Sequence, residues 1–348
     1  MSELDRLAPE LARFDGSPPT RVGRIEFVNC FPLYEHFEEE ITWRGQRAEI
    51  ITGDPATLNR MLIAGELDIA LPSSIEFARH AEQLELLTAV TISSLGAVDS
   101  IQLFSKVPRE SIETIALTPS SATSIALLRV LCRAWSVMPT FDAYDGHLHN
   151  ALASNDALLL IGDEALKVLR ADVYPYHYDL GAEWLTLTGL PMVYAVSAAR
   201  KTFAAERPAA VAAVEAALVA SRDRCAANPE ETAAAAARHY DFDEKYLLHY
   251  FDQLKFGFAE EYRRGLTEFW RRAIAVGELD RVPMLTTTSA PAAPAPADPS
   301  AASTPASAPL SSDPLAVLDA LDVPLTKPAP FAPPTRPDPS APESPSSS

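Results

Sequence analysis

The chain has 348 residues, 47% hydrophobic and 22% charged, with 29 Lys+Arg against 47 Asp+Glu for a formal net charge of −18. The length suggests about two domains with sizeable cores, and excludes a wholly disordered, collagenous or disulfide-stapled chain. So acidic a surface argues against nucleic-acid or anionic-membrane partners, which need clustered cations; a small anionic ligand held by local donors is not excluded. Three widely spaced cysteines, Cys30, Cys132 and Cys225, form neither a disulfide framework nor a CxxC metal site, so reduced thiols and an intracellular location are expected.

The first twenty residues read as a loose arm, with early acids and no apolar stretch of secretory type. Arg21–Val28 alternates as a strand, and Ala48–Ile51 is a second. Pro55–Ala64 fits a helix closed by Gly65, and Leu67–Leu71 a short buried strand, after which Ser73-Ser74 opens a helix to Arg79. These β-α-β-α units imply a parallel sheet covered by helices. Thr88–Ser105 holds two extended segments around Gly96, and Thr114–Leu117 is a strand. The turn Ser120–Ser124 precedes an apolar helix, Ile125–Trp135. Met138–Phe141 and Ala157–Ile161 are strands around a helix near His147–Ala153, and Pro191–Val196 is extended. Ala198–Gly277 is almost entirely helical, with candidates at 209–226, 229–240, 243–254 and 260–276. The longest uncharged stretch, Trp184–Ala199, is too short for a membrane span and is broken by Gly189-Leu190-Pro191. The expectation is a cytoplasmic protein with no membrane partner.

Composition changes abruptly near Leu285. The last 63 residues hold 16 of the 30 prolines and no glycine, so 286–348 is expected to be a disordered tail, with one helix-like island at Ser312–Leu321. Late helices usually pack back on the first block. That gives lobe 1 from 21–104 plus 192–285, lobe 2 from 105–191, and a ligand cleft between them.

Several strand ends carry small polar residues: Asn29 after the first strand, Ser73 and Ser74 after the third, and the hydroxyl turn with Ser120, Thr123 and Ser124. Ligands bind beyond the carboxyl ends of strands in open α/β sheets, and helix N-termini there bind carboxylates or phosphates. Each such turn is also an ordinary N-cap sequence; three together point to a shared anion site. Gly162 permits close backbone approach, and Asp163 either caps the following helix or lines the cleft. The turn around Thr188 and Gly189 can offer backbone N–H groups. His147-x-His149 lacks further clustered ligands and reads as a solvated turn, so no metal is expected. No GxGxxG, P-loop or GxSxG occurs. Glu38–Glu40, Arg263-Arg264 and Arg271-Arg272 read as surface charge.

Several segments together resemble the MqnA family, the chorismate dehydratases of the futalosine route to menaquinone. They are Arg24–Pro32, Gly65–Phe77, Gly96–Ser105, Leu117-Thr118 to Ser124, Ile161–Leu166, Tyr178–Gly181 with Trp184, and Thr188–Pro191. They fall in family order across about Arg21–Gly277; the tail has no counterpart. The resemblance implies an α/β, two-lobed, type II periplasmic-binding-protein-like fold with a central ligand cleft. It implies removal of water from chorismate to give 3-[(1-carboxyvinyl)oxy]benzoate, without a cofactor. Asn29 matches the family's catalytic asparagine. Ser73, Ser74, Ser100, Thr123 and Ser124 would bind the two carboxylates, with Ser120, Gly162, Thr188 and Gly189 beside them, and Asp163 is an alternative for proton transfer. The related 1,4-dihydroxy-6-naphthoate synthases share the architecture, but Val28-Asn29 with Pro32, and Pro72-Ser73-Ser74, favour the dehydratase. A cytoplasmic solute-binding-like protein for an aromatic carboxylate is the other alternative.

Overall fold

The computed structural model describes residues 18–285 apart from 145. The tail, its island and the arm up to residue 17 lie outside the described residues. The chain opens with β1 (Thr20–Ile25), a 3₁₀ turn (Val28–Cys30), α1 (Phe31–Tyr34), α2 (Phe37–Trp43), β2 (Ala48–Gly53), α3 (Pro55–Ala64), β3 (Ile69–Ala70), α4 (Ser74–Arg79) and β4 (Leu84–Ser94). Local chemistry sets α3. Asp54 accepts the Thr57 N–H at its N-cap, Pro55 fills the first turn, and Gly65 closes it at φ 81°.

The chain then crosses to a second sheet. There it forms β5 (Ile101–Ser105), β6 (Thr114–Leu117), α5 (Ala122–Ala134), β7 (Thr140–Ala143), α6 (Leu148–Ser154), β8 (Ala157–Ile161), α7 (Gly162–Ala171), β9 (Tyr176–Asp179) and α8 (Leu180–Thr188). It returns through β10 (Met192–Arg200), α9 (Lys201–Glu206), α10 (Pro208–Ala227), α11 (Pro229–Ala237), α12 (Glu244–Gln253), β11 (Leu254–Lys255) and α13 (Glu260–Ala275). The first sheet runs β11-β4-β10-β3-β1-β2 and the second β7-β6-β8-β5-β9.

Both sheets are mixed: the opening β-α-β-α units give the parallel strands expected of them, and later strands add antiparallel pairs. β1 is parallel to β2 and β3, but β10 is antiparallel to β3 and β4, and β11 to β4. In the second sheet β6 is parallel to β7 and β8, while β5 is antiparallel to β8 and β9. A strand that enters a sheet from the other one arrives without a covering crossover helix, so it need not be parallel. Several boundaries also move. β1 ends at Ile25, not Val28; β3 holds two residues; β7 starts at Thr140; and β10 runs on to Arg200, into the stretch expected to be helical. The short helices α1 and α2, the edge strand β9, α8 and β11 were not anticipated.

One large apolar cluster runs through both sheets and includes Val22, Phe31, Ile69, Leu103, Ile115, Trp184, Val193 and Trp270. Each buried indole finds a carbonyl: Trp184 donates to Pro191 (3.1 Å) and Trp270 to Ser74 (3.1 Å). Gly265 of α13 lies so close to Pro191 that a Cβ there would sit 2.1 Å from its carbonyl oxygen. This packing fixes the C-terminal helices against the junction of the sheets. Among the described residues no helix is long and apolar enough to cross a membrane.

Candidate active site

Four strand ends meet between the sheets. β1 leads to the turn holding Asn29, β3 to Ser73-Ser74, β6 to the hydroxyl turn, and β8 to Gly162-Asp163. Two hydrogen-bonded contacts join them across the junction. The Val28 N–H donates to Asp163 Oδ1 at 3.0 Å. The Ile75 N–H donates to Thr123 Oγ1 at 3.1 Å, and Ser74 Oγ lies 3.3 Å from the same oxygen.

The Asn29 turn is held from several sides. The Cys30 N–H donates to the Phe27 carbonyl (3.0 Å), and Pro32 enters α1 where no N–H is needed. The Tyr34 hydroxyl donates back to the Gly23 carbonyl of β1 (2.8 Å). The Asn29 Oδ1 is buried with no hydrogen-bond partner. Burying an amide oxygen unpaired carries a cost, so this atom stands out within a well-bonded turn.

Gly162 opens α7 at φ 62°, and a Cβ there would lie 2.8 Å from the Phe27 ring. Its N–H donates to the Ser100 carbonyl (2.8 Å). Asp163 sits in the first turn of α7, where a helix N-terminus favours an anion. Burial nevertheless pushes its carboxyl up to about 6, against the Val28 N–H and the Lys167 charge, which act to lower it. The sequence left Asp163 between cap and cleft. The structure gives its carboxylate to the Val28 amide across the junction.

The hydroxyl residues differ in what they hold. Ser73 gives its N–H to Asn59 Oδ1 (3.2 Å), and its own Oγ is buried without a partner. Ser74 Oγ donates to the Val193 carbonyl (2.8 Å). Ser121 is the N-cap of α5, and both the N–H and the Oγ of Ser124 bond to its Oγ. The Ser120 N–H bonds Thr118 Oγ1 at 3.4 Å. Thr188 Oγ1 donates to the Trp184 carbonyl and accepts the Leu190 N–H, and Gly189 caps α8 at φ 69°. The hydrogen bonds of Thr188 thus stay within the end of α8.

Two groups here carry no sequence signal of their own. Tyr250 of α12 is fully buried. Burial raises its hydroxyl well above the ordinary phenol range, and Ser100 acts to lower it. Asp99 takes a left-handed conformation at φ 57°, and its carboxylate accepts from Gln253 Nε2 (3.0 Å). Asp179 had a detectable signal, an acid just before an apolar helical period. Its carboxylate accepts the N–H groups of Val98, Asp99, Gly181 and Ala182 and the Gln102 amide, all within 3.0 Å. Gly181 is required beside it, since a Cβ would lie 2.3 Å from the Gly96 carbonyl oxygen. No group of three His, Cys, Asp or Glu placed to hold a metal occurs among the described residues.

Two mixed sheets, crossed twice by the chain, with polar strand ends facing each other, define the periplasmic-binding-protein fold. A Candida albicans protein described as having the generic form of that fold superposes with a TM-score of 0.59 at 13% identity, over 77% of this chain and 92% of that one. In sequence, residues 20–275 match the family model for menaquinone biosynthesis. A chorismate dehydratase of Thermus thermophilus is 32% identical over 266 residues, 72% of this chain and 94% of the relative. One from Campylobacter jejuni is 31% identical over 176 residues, 50% of this chain and 64% of the relative. The chain belongs to this menaquinone-biosynthesis family, with chorismate dehydratases among its relatives.

Proposed function

We propose that the protein dehydrates chorismate to 3-[(1-carboxyvinyl)oxy]benzoate and water, acting as a hydro-lyase in the cytoplasm on the futalosine route. The observation that carries this reading is the likeness to the Thermus chorismate dehydratase across nearly its whole length. The site supports it. The C3 hydrogen of chorismate is vinylogously acidic, because the diene carboxylate accepts the electrons released. Loss of the C4 hydroxyl then completes an aromatic ring. The reaction balances without an oxidant or reductant, so the protein's task is to position groups and stabilise charge.

In this reading the unpaired Asn29 Oδ1 faces a donor on the substrate and orients the reacting carbon or the leaving hydroxyl. Asp163, with its carboxyl pushed up to about 6, changes protonation close to neutral pH and is suited to take the C3 proton. Ser73, whose Oγ is free of protein partners, is the first candidate for a substrate carboxylate. Ser74, Ser100, Ser120, Thr123 and Ser124, with Gly162 and Gly189 beside them, complete the proposed anion site; the N–H groups of the two glycines are themselves given to the Ser100 and Leu185 carbonyls. The bonds from Val28 to Asp163 and from Ile75 to Thr123 would then mark the closed state of two lobes, 21–104 with 192–285 and 105–191.

The test is incubation of the purified protein with chorismate, followed by mass spectrometry and NMR. A product lighter by one water and meta-substituted is expected, and Asn29→Ala should lower turnover at least a hundredfold. Chorismate that decays only at its background rate would sink the reading. Full turnover by Asn29→Ala would remove that residue from the chemistry.

A further inference from the structure

We propose that the apolar island Ser312–Leu321 docks, within its own chain, in a groove between α3, α4 and α5, an interaction independent of the chorismate reading above. The groove has a volume of about 520 Å³. Ala56, Ile63 and Ala64 of α3 wall it on one side, and Pro119, Ala122 and Ile125 at the start of α5 on the other. Its polar lining is mostly spent: Asn59 Oδ1 accepts the Ser73 N–H (3.2 Å), and Glu76 of α4 is paired with Arg79 (2.5 Å). Arg60 is left at the edge, its side chain 57% exposed and opposite Glu66 at 3.3 Å, a pairing of little worth in water. An apolar groove with a weakly held cation beside it fits a short apolar helix that carries acids.

The path of the chain points to the occupant. After α13 it passes Glu278, whose carboxylate accepts from Arg129 of α5 (2.7 Å) and from Arg79 of α4. Arg79 lies one helical turn from Glu76 and Arg129 one turn from Ile125, so the chain runs past one end of the groove. The described residues end at Leu285, and residues 286–312 lead on to the island. A connection of that length spans about 30 Å as a flexible coil, and more where prolines stiffen it. Leu285 itself is at most about 25 Å from Glu278, so the island reaches the groove. Its sequence suits the place. Asp313 and Pro314 form a helix start, and Pro324 a stop. Leu315, Leu318 and Leu321 recur at spacings of three, with Val317 four before Leu321, and so share one helical face, with Asp313 and Asp319 off it. Tethering raises the island's local concentration toward the millimolar range, so a contact too weak to join separate molecules forms within one. The groove residues Glu76 and Ala122 are next to Ile75 and Thr123, whose hydrogen bond crosses the junction. A docked island therefore braces that junction from outside. The family match stops at residue 275, so this brace belongs to the extension peculiar to this chain.

Millisecond hydrogen exchange of the full chain, read by mass spectrometry, tests this. The amides of Leu315–Leu321 should exchange at least tenfold more slowly than those on either side. Leu318→Asp should abolish that protection, and Arg60→Glu, on the exposed edge of the groove, should lower it severalfold. An island that exchanges as fast as its flanks overturns the proposal, and so does protection that survives both substitutions. Photo-crosslinking locates the contact, with benzoylphenylalanine at the exposed Ala64 of the full chain. The expected product joins residue 64 to 312–321 within one chain. A product that joins two chains makes the occupant a second copy and overturns intrachain docking, as does a product with another segment or none at all.

Discussion

Two buried aspartates in this molecule start from the same chemistry and end in opposite states. Asp179 caps α8 and accepts five hydrogen bonds, two of them from Val98 and Asp99 on the first crossing between the sheets. Asp163, in the first turn of α7, accepts one, from Val28. Burial pushes both carboxyls upward. In Asp179 every lone pair is used, so its carboxylate works as a fixed bracket for the crossing. In Asp163 most of the acceptor capacity is unspent. A buried carboxylate that is short of donors is the one available to exchange a proton.

The strongest way to break this comparison is Asp179→Ala. It strands the amides of Val98, Asp99, Gly181 and Ala182 and that of Gln102 at a buried site. At about 1–3 kcal/mol for each unsatisfied donor, partly relieved by relaxation, the net loss should be on the order of 4 kcal/mol. Thermal unfolding followed by circular dichroism should show Tm lower by roughly 10 °C. A loss under about 1 kcal/mol would mean that the bracket is redundant.

The two aspartates also differ in how they could be read in advance. Gly162-Asp163 follows an apolar strand, and that local pattern is enough to place it at a strand end. Asn29 and the serine turns were legible for the same reason, because strand ends and N-caps are written in neighbouring residues. Asp179 carried a cap signal before an apolar helical period, but the strand leading to it, Tyr176-His177-Tyr178, is a polar edge strand with no buried alternation to mark it. Strand direction was legible where a helix bridges two strands, as from β1 to β3, but not for strands that pass between the sheets, since a period of two reads the same in both senses. Tyr250 could not be found at all. Its side chain looks like one more aromatic on an amphipathic helix, and only its complete burial in the folded chain sets it apart. Proximity between distant segments is a property of the whole fold.

Asp163→Asn sharpens the comparison with a smaller effect of opposite sign. The carboxyl ordinarily titrates near 3.8 and is pushed up to about 6 in the folded chain. The native state therefore binds this proton more tightly than the unfolded chain. Its contribution to stability is present below pH 4 and is lost as pH rises through about 6. Above that, the fold carries a buried charge at a cost of at most about 3 kcal/mol. Asparagine keeps an oxygen for the Val28 N–H and removes the charge. The variant should be more stable than the wild type by about 1–2 kcal/mol at pH 7.5, with the gain fading toward pH 4. Denaturant melts at the two pH values measure this. Turnover should fall at the same time, and the rising limb of kcat near pH 6 should disappear. A variant with wild-type turnover across the pH range would return Asp163 to the same class as Asp179.

Ser73→Ala is the finest probe of the same contrast between spent and unspent polar atoms. Ser73 and Ser74 are neighbours at the end of β3, but Ser74 Oγ is bonded to the Val193 carbonyl while Ser73 Oγ has no partner. Removing a hydroxyl that bonds nothing should change stability by less than about 0.5 kcal/mol, and in the favourable direction if at all. If that oxygen is kept for a substrate carboxylate, KM for chorismate should rise about tenfold, the worth of one hydrogen bond to a charged group, with kcat much less affected. Measuring Tm and KM on one preparation separates the outcomes. A higher KM at constant Tm makes Ser73 a binding residue. A lower Tm at constant KM would mean that the hydroxyl serves the fold, as that of Ser74 does.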